Sequence, residues 1–458
     1  MNDVVLVWLR QDLRLHDQPA FLAAAEDGCA VVPVYVLDDD TPGDWRIGGA
    51  QRWWLHHSLA ALAKDLEALG SRLVIRRGPA AAEIAKLAKE LGAKRVHAIR
   101  HYEPWWIAAE QELASAIDLV LHDGNQLAPP ETVRSGSGEA FKIFSPFWRA
   151  LEAKMPPEKP KPAPGRLTAP DKWPPSTPIA ALSLLPTKPD WSGGFAEEWA
   201  PGEAGAADRL KAFQDAVGSY DDRRNLPSDE GTSRLSPHLH WGEVSPATVW
   251  HAVARKKNSE GFKRELGWRD FTSAVEQANP EIGDQNARAA FDKLKWRTGK
   301  AADSDFRKWT KGQTGYPIVD AGMRQLWTSG WMHNRARMIT ASFLIKHLLI
   351  DWRRGERWFW DTLVDADYGN NSVNWQWVAG TGHDANMFSR IMAPLTQSAK
   401  FEAAEYIRRW VPELASLDDE VIHDPEAAGV TVKGYPAKLI GHREGRERAL
   451  AAGRAIRG

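Results

Sequence analysis

Short β-rich runs alternate with helical stretches over the first third of the chain and do not recur beyond about residue 206. Val4–Leu9, Val31–Leu37, Arg72–Arg76, Arg95–Ile99 and Leu119–His122 read as buried strands. Between them, Ala50–Leu69 and Ala80–Leu91 carry helical spacing in Ala, Leu, Lys and Glu. Such a βαβ rhythm predicts a doubly wound parallel sheet, ending here near residue 128. Residues 129–205 then form a connector, whose prolines between Pro156 and Pro178 favour an extended strap. From residue 206 to 458 amphipathic helical segments follow one another, broken at Gly315-Tyr316-Pro317 and at Pro394. The expected architecture is therefore an α/β domain (1–128), a connector (129–205) and an all-α domain (206–458).

Composition narrows the chemistry. A net charge of -1 denies the chain any bulk attraction to nucleic acid, so a DNA-binding surface would have to be a local basic patch. The single cysteine, Cys29, excludes a disulfide framework and a Cys-based zinc site, and no metal is expected. The N-terminus lacks the charged leader of a secretion signal, and the longest apolar stretch, Met338–Ile350, is too short to span a membrane. A cytoplasmic, soluble and monomeric protein is the expectation. No G-x-G-x-x-G follows the first strand and no P-loop occurs, so a bound dinucleotide would have to sit outside the sheet domain.

Three constellations in the helical half carry chemistry. Tyr220 and the turn Thr232-Ser233-Arg234-Leu235-Ser236 place hydroxyls and a guanidinium at a helix start, which suits phosphate oxygens. Asn334, Arg337 and Met338 stand at i, i+3 and i+4, so one helix face presents an amide, a cation and a soft apolar group. A buried Arg337 needs a carboxylate, for which Asp365 is the choice, and Asp367 and Asn371 supply further polar groups. Glu265, Trp268 and Arg269 repeat the spacing and could hold a flat, hydrogen-bonding ring, with Trp375 and Trp377 adding two indoles. These belong to an excess of 23 Trp, of which Trp309, Trp327, Trp358 and Trp360 read as core filling.

The segments Gly231–Ser236, Lys311–Arg324, Gly330–Leu344 and Asp365–Trp377, with the opening Val7–Asp17, resemble the DNA photolyase/cryptochrome family in order along nearly the whole chain. The resemblance implies FAD, folded back on itself and buried in the helical domain. Tyr220, Thr232, Ser233, Arg234 and Ser236 would hold its phosphates and ribityl chain. Arg337 and Asp365 would flank the isoalloxazine with Asn334 nearby, Asp367 would meet the ring edge and Asn371 would face N5. In this family light drives an electron from reduced flavin into a pyrimidine dimer flipped from DNA. Glu265 would bond the dimer's base edge, Trp268 and Trp377 would pack on its rings, and Asn334 and Met338 would complete the floor. Trp375, Trp352 and Trp296 would relay electrons inward. Arg335 and Arg390 would contact DNA, with Arg223, Arg224 and Lys263 as weaker candidates.

Within the family, a cyclobutane pyrimidine dimer photolyase is the expectation. A (6-4) photolyase would carry a histidine where this chain has Asn334 and Met338, and His333 precedes that face. A plant-type cryptochrome photoreceptor would carry an aspartic acid where this chain has Asn371, and the chain stops at Gly458 without a signalling tail. An antenna pigment, either methenyltetrahydrofolate or an 8-hydroxy-deazaflavin, is expected in the first domain, near Arg46–Trp54 and His101-Tyr102-Glu103. Gly267 and the run Asn386–Ala393 depart from the more usual family form.

Overall fold

The computed structural model describes residues 3–385, 388 and 390–456. Its first part runs β1 (Val4–Leu9), α1 (Pro19–Glu26), β2 (Ala30–Leu37), α2 (Gly49–Ala68), β3 (Val74–Arg77), α3 (Ala80–Leu91), β4 (Arg95–Ile99), α4 (Pro104–Ala116) and β5 (Asp118–His122). All strand pairs are parallel, in the order β3-β2-β1-β4-β5, with Val4 opposite Ala30 and Val5 opposite Arg95. The doubly wound α/β sheet is the one the strand rhythm predicts. Every residue of β1 and β2 is buried, because crossover helices cover both faces. Helices α1 and α4 escaped the pattern reading. Each starts on a proline that is pre-set for a first turn, Pro19 and Pro104.

The remainder is helical: α5 (Phe144–Glu152), α6 (Phe195–Glu198), α7 (Glu203–Ala216), α8 (Tyr220–Arg223), α9 (Ser236–His240), α10 (Pro246–Val253), α11 (Glu260–Ala278), α12 (Lys300–Thr310), α13 (Pro317–Ser329), α14 (Asn334–Ser342), α15 (Trp352–Thr362), α16 (Tyr368–Ala379), α17 (Pro394–Lys400), α18 (Ala404–Trp410), α19 (Asp419–Ile422) and α20 (His442–Ala455). The connector is mostly extended, but α5 inside it is a helix that buries Phe144, Phe147, Trp148 and Leu151. No helix among the described residues is long and apolar enough to cross a membrane.

Alternation along β1 sends Val4, Leu6 and Trp8 to one apolar cluster and Val5, Val7 and Leu9 to another. Both clusters continue into the helical part, so the two halves share their cores. The opening motif seals this junction. Leu13 N–H donates to the Trp241 carbonyl at 3.0 Å, and Leu15 and His16 N–H groups donate to Glu203 at 2.8 and 2.9 Å. Arg14 is buried and donates to the carbonyls of Asp17, Gly124 and Gly242 and to Asn125 Oδ1, at 2.9–3.0 Å.

Candidate functional site

Helix α14 starts where His333 Nδ1 accepts the Arg335 N–H at 3.1 Å. Burial brings His333 down to about 4, so it is a neutral cap in the physiological range. One turn later Arg337 Nε donates to the Met332 carbonyl and Nη2 donates to Asp365 Oδ2, both at 2.8 Å. Ser236 Oγ donates to the same carboxylate oxygen at 2.6 Å, and Trp331 Nε1 donates to Ser236 at 3.3 Å. The pair chosen from sequence is thus formed, with Ser236 as a third member. Asp365 Oδ1 is buried and meets no donor among the described residues. A buried carboxylate oxygen without a donor is costly, and a ligand hydroxyl or ring N–H would satisfy it.

Around this pair, Asn334 is exposed and Thr232 and Ser233 are half-buried. Tyr220 is buried against Phe213 and Phe262. Arg234 takes a left-handed backbone (φ 52°), donates to Glu198 at 2.7 Å and lies over Trp199 and Trp331. The phosphate role read from sequence left out this carboxylate, which comes from α6 and is distant in the chain. Asp367 caps α16, accepting the Asn370 N–H at 2.7 Å, and its other oxygen lies 3.8 Å from His240 Nδ1. Burial alone would raise its pKa, but His240 and Arg269 overcome this and hold it at about 2. Asn371 is buried and donates to the Glu356 carbonyl at 3.1 Å. Glu356 itself escaped the sequence reading. Its carboxyl is buried with both oxygens unpartnered among the described residues, and burial pushes its pKa well above the usual range. Nothing in its local sequence distinguishes it from an exposed helix glutamate.

Trp375 and Trp352 are buried, the latter donating to Asn286 Oδ1 at 3.0 Å, and Trp296 is half-buried. Of the three, only Trp296 has appreciable exposure to solvent. Trp309 and Trp360 fill core as expected and Trp358 is half-buried. Trp327 does not fill core: it is 40% exposed, stacked between Trp191 and Trp358 at 4.7 and 5.9 Å. A tryptophan at helical spacing cannot be assigned to core until the opposing surface is known.

On the other flank, Arg224 pairs with Glu265, and Arg335 donates to Asn225 Oδ1 and lies 4.3 Å from the Phe401 ring centre. Met338 Sδ is 3.8 Å from Arg335 Nη1. Trp268 and Trp377 line one cleft between α11 and α16, together with Phe271, Val275 and Ile282 and with Lys142, His383 and Asp384. Phe144 lies flat against one face of Trp268. Arg390 is exposed. Arg223 pairs with Asp229, and Lys263 is no surface cation: it is buried, paired with Glu260 and set over Trp250. Its helix position gave no hint that α10 would cover it. Asn386, Met387 and Ser389, part of the divergent run named above, lie outside the described residues.

A second, polar recess opens between the two halves, lined by His101, Tyr102 and Glu103 from one side and His240, Arg269, Glu276 and Asp367 from the other. The Arg46–Trp54 region instead packs on α15, with Gln51 donating to the Trp360 carbonyl at 3.0 Å and Trp360 to the Arg46 carbonyl at 2.8 Å. Among the described residues no cluster of side chains is placed to hold a metal ion.

Comparison with known proteins agrees along the whole chain. Residues 5–165 match the DNA photolyase family and residues 262–455 match the FAD binding domain of DNA photolyase. The chain is 46% identical to the deoxyribodipyrimidine photo-lyase of Agrobacterium fabrum, over 99% of its own length and 98% of that protein. A bacterial class III photolyase from Agrobacterium tumefaciens superposes with a TM-score of 0.94 at 46% identity, covering 100% of this chain and 98% of the other. An archaeal photolyase from Sulfolobus tokodaii, solved with two FAD molecules, gives 0.83 at 28% identity, covering 98% and 99%.

Proposed function

The chain belongs to the DNA photolyase/cryptochrome family, and from that membership we propose that it is an FAD enzyme that splits cyclobutane pyrimidine dimers in DNA under blue light. The observation that carries the reading is the convergence of Trp268 and Trp377 on one cleft, on the two helices that also carry Glu265 and Asn371. Two indoles can grip both rings of a dimer flipped from the stack.

FAD, when bound and reduced, supplies the electron that light drives into the dimer. This chain's own residues hold, orient and seal. Asp365 offers its unpartnered oxygen to the cofactor while Arg337 balances its charge. Ser236, Thr232, Ser233, Arg234 and Tyr220 would hold the cofactor's remaining length. Asp367, held ionised by His240 and Arg269, would accept at the ring edge, and the Asn371 amide would face N5. Glu265 accepts from the dimer's base edge, and its ion pair with Arg224 keeps it aimed. Trp375, Trp352 and Trp296 form the inward electron route, and Arg335 and Arg390 contact phosphates.

Asn371 cannot surrender a proton as a carboxylic acid does, which disfavours a plant-type photoreceptor. His333 is a neutral helix cap, which disfavours the (6-4) reaction. A second, light-gathering pigment is proposed as well, methenyltetrahydrofolate or an 8-hydroxy-deazaflavin. His101-Tyr102-Glu103 are its better candidate contacts, because Arg46–Trp54 is packed on α15.

The purified protein should carry flavin absorbance and, with a reductant, restore adjacent thymines in a dimer-containing oligonucleotide only in the light. Glu265→Ala leaves the dimer's edge unpaired and should lower repair efficiency about tenfold or more. A flavin-loaded protein that leaves cyclobutane dimers untouched would overturn the assignment.

A further inference from the structure

The connector supplies an aromatic ring that none of the sequence motifs included. Phe144, the first residue of α5, lies on Trp268 with ring centres 3.7 Å apart and planes 9° from parallel. Phe144 is buried, whereas Trp268 keeps part of its surface open to the cleft it shares with Trp377. One indole face is therefore occupied by protein and only the other can receive a pyrimidine.

Phe144 is itself pinned. Its N–H donates to Asp384 Oδ2 at 3.0 Å, Phe271 meets it edge-on at 5.8 Å, and the Arg264 guanidinium lies 5.6 Å from its ring centre. One turn further along α5, Trp148 covers Gly267, immediately before Trp268 in α11. A Cβ on Gly267 would stand 2.4 Å from Trp148 Cε3, closer than real carbon atoms approach. The absent side chain is what lets α5 close on α11. This gives the departure at Gly267 a physical meaning: the space a bulkier residue would fill holds the Trp148 indole.

We propose that Phe144 is a positioning residue for lesion recognition, fixing the plane of Trp268 so that its open face meets the dimer, with the Trp148–Gly267 contact setting the height of α5. The proposal rests on the dimer-repair reading above. It would make the connector part of the substrate site and a determinant of lesion selectivity.

The test compares binding of a dimer-containing and an undamaged oligonucleotide by the flavin-loaded wild type and by Phe144→Leu, Phe144→Tyr and Gly267→Ile, each checked for its thermal midpoint. Phe144→Leu keeps apolar volume but loses the flat face, and should bind dimer DNA about tenfold more weakly, with undamaged DNA unaffected. Phe144→Tyr should retain wild-type selectivity, and Gly267→Ile should behave like Phe144→Leu. Wild-type selectivity in Phe144→Leu, or an equal loss on both DNAs, would overturn the proposal. A wild type that does not prefer dimer DNA would instead remove the underlying reading, before any variant is compared.

Discussion

At Asp365 two donors converge on one oxygen while the other meets none, and that asymmetry is what a single residue can reveal about a ligand. Arg337→Ala would leave a buried carboxylate with only Ser236 as donor. Because the guanidinium is about a quarter exposed, the loss should be about 1–3 kcal/mol rather than that of a fully buried pair, read as a lower unfolding midpoint together with less flavin per protein. The pair was legible in sequence, since an arginine on an inward helix face needs a carboxylate. Glu356 was not, because its one distinction is burial without a partner, and helix spacing does not report which neighbours will cover a position. Lys263 failed in the opposite direction: a basic residue that reads as surface is covered by a tryptophan.

Helix α11 shows how one element serves two purposes. One stretch presents Glu265 and Trp268 to the cleft, and another presents Asp270 to the sheet domain, where its carboxylate accepts the Leu127 and Ala128 N–H groups at 2.8 and 3.1 Å. Burial raises Asp270 from 3.8 to about 7, so the folded chain holds this proton more tightly than the unfolded one. The resulting stability is complete below about pH 4 and is lost as pH rises from about 4 to about 7. Asp270→Asn keeps the acceptor and cannot ionise, so its unfolding midpoint should gain on the wild type across that window, by roughly 2–4 kcal/mol of stability at neutral pH. Thermal scans at pH 4, 5.5 and 7 would measure this, and a constant gap would refute it. Such roles are absent from motif reading because they depend on which element lies opposite. The same holds for α5: proline-rich surroundings pointed to a strap, and only its apolar contact with α11 keeps it helical.

Across the whole molecule the two halves are joined by shared cores and by Arg14, which reaches from the sheet domain to the Gly242 carbonyl of the helical half while its other donors bind Asp17, Gly124 and Asn125. Arg14→Met should cost at least about 3 kcal/mol, because several buried acceptors lose their partner at once, and calorimetry should then resolve the single unfolding transition into two. DNA binding, with a net charge of only -1, should depend on a local cationic rim and so weaken steeply with salt on a log–log plot. What the sequence determined by itself was the sheet, the helical half and the family, because strand and helix periodicities are local and the motifs Lys311–Arg324 and Gly330–Leu344 are contiguous. Tertiary structure alone decided that Trp327 faces solvent, that Lys263 is buried, that Arg234 answers to Glu198, and that Phe144 backs Trp268. Each of these joins residues far apart in the chain, and burial and pairing are properties of the opposing surface, which no local pattern encodes.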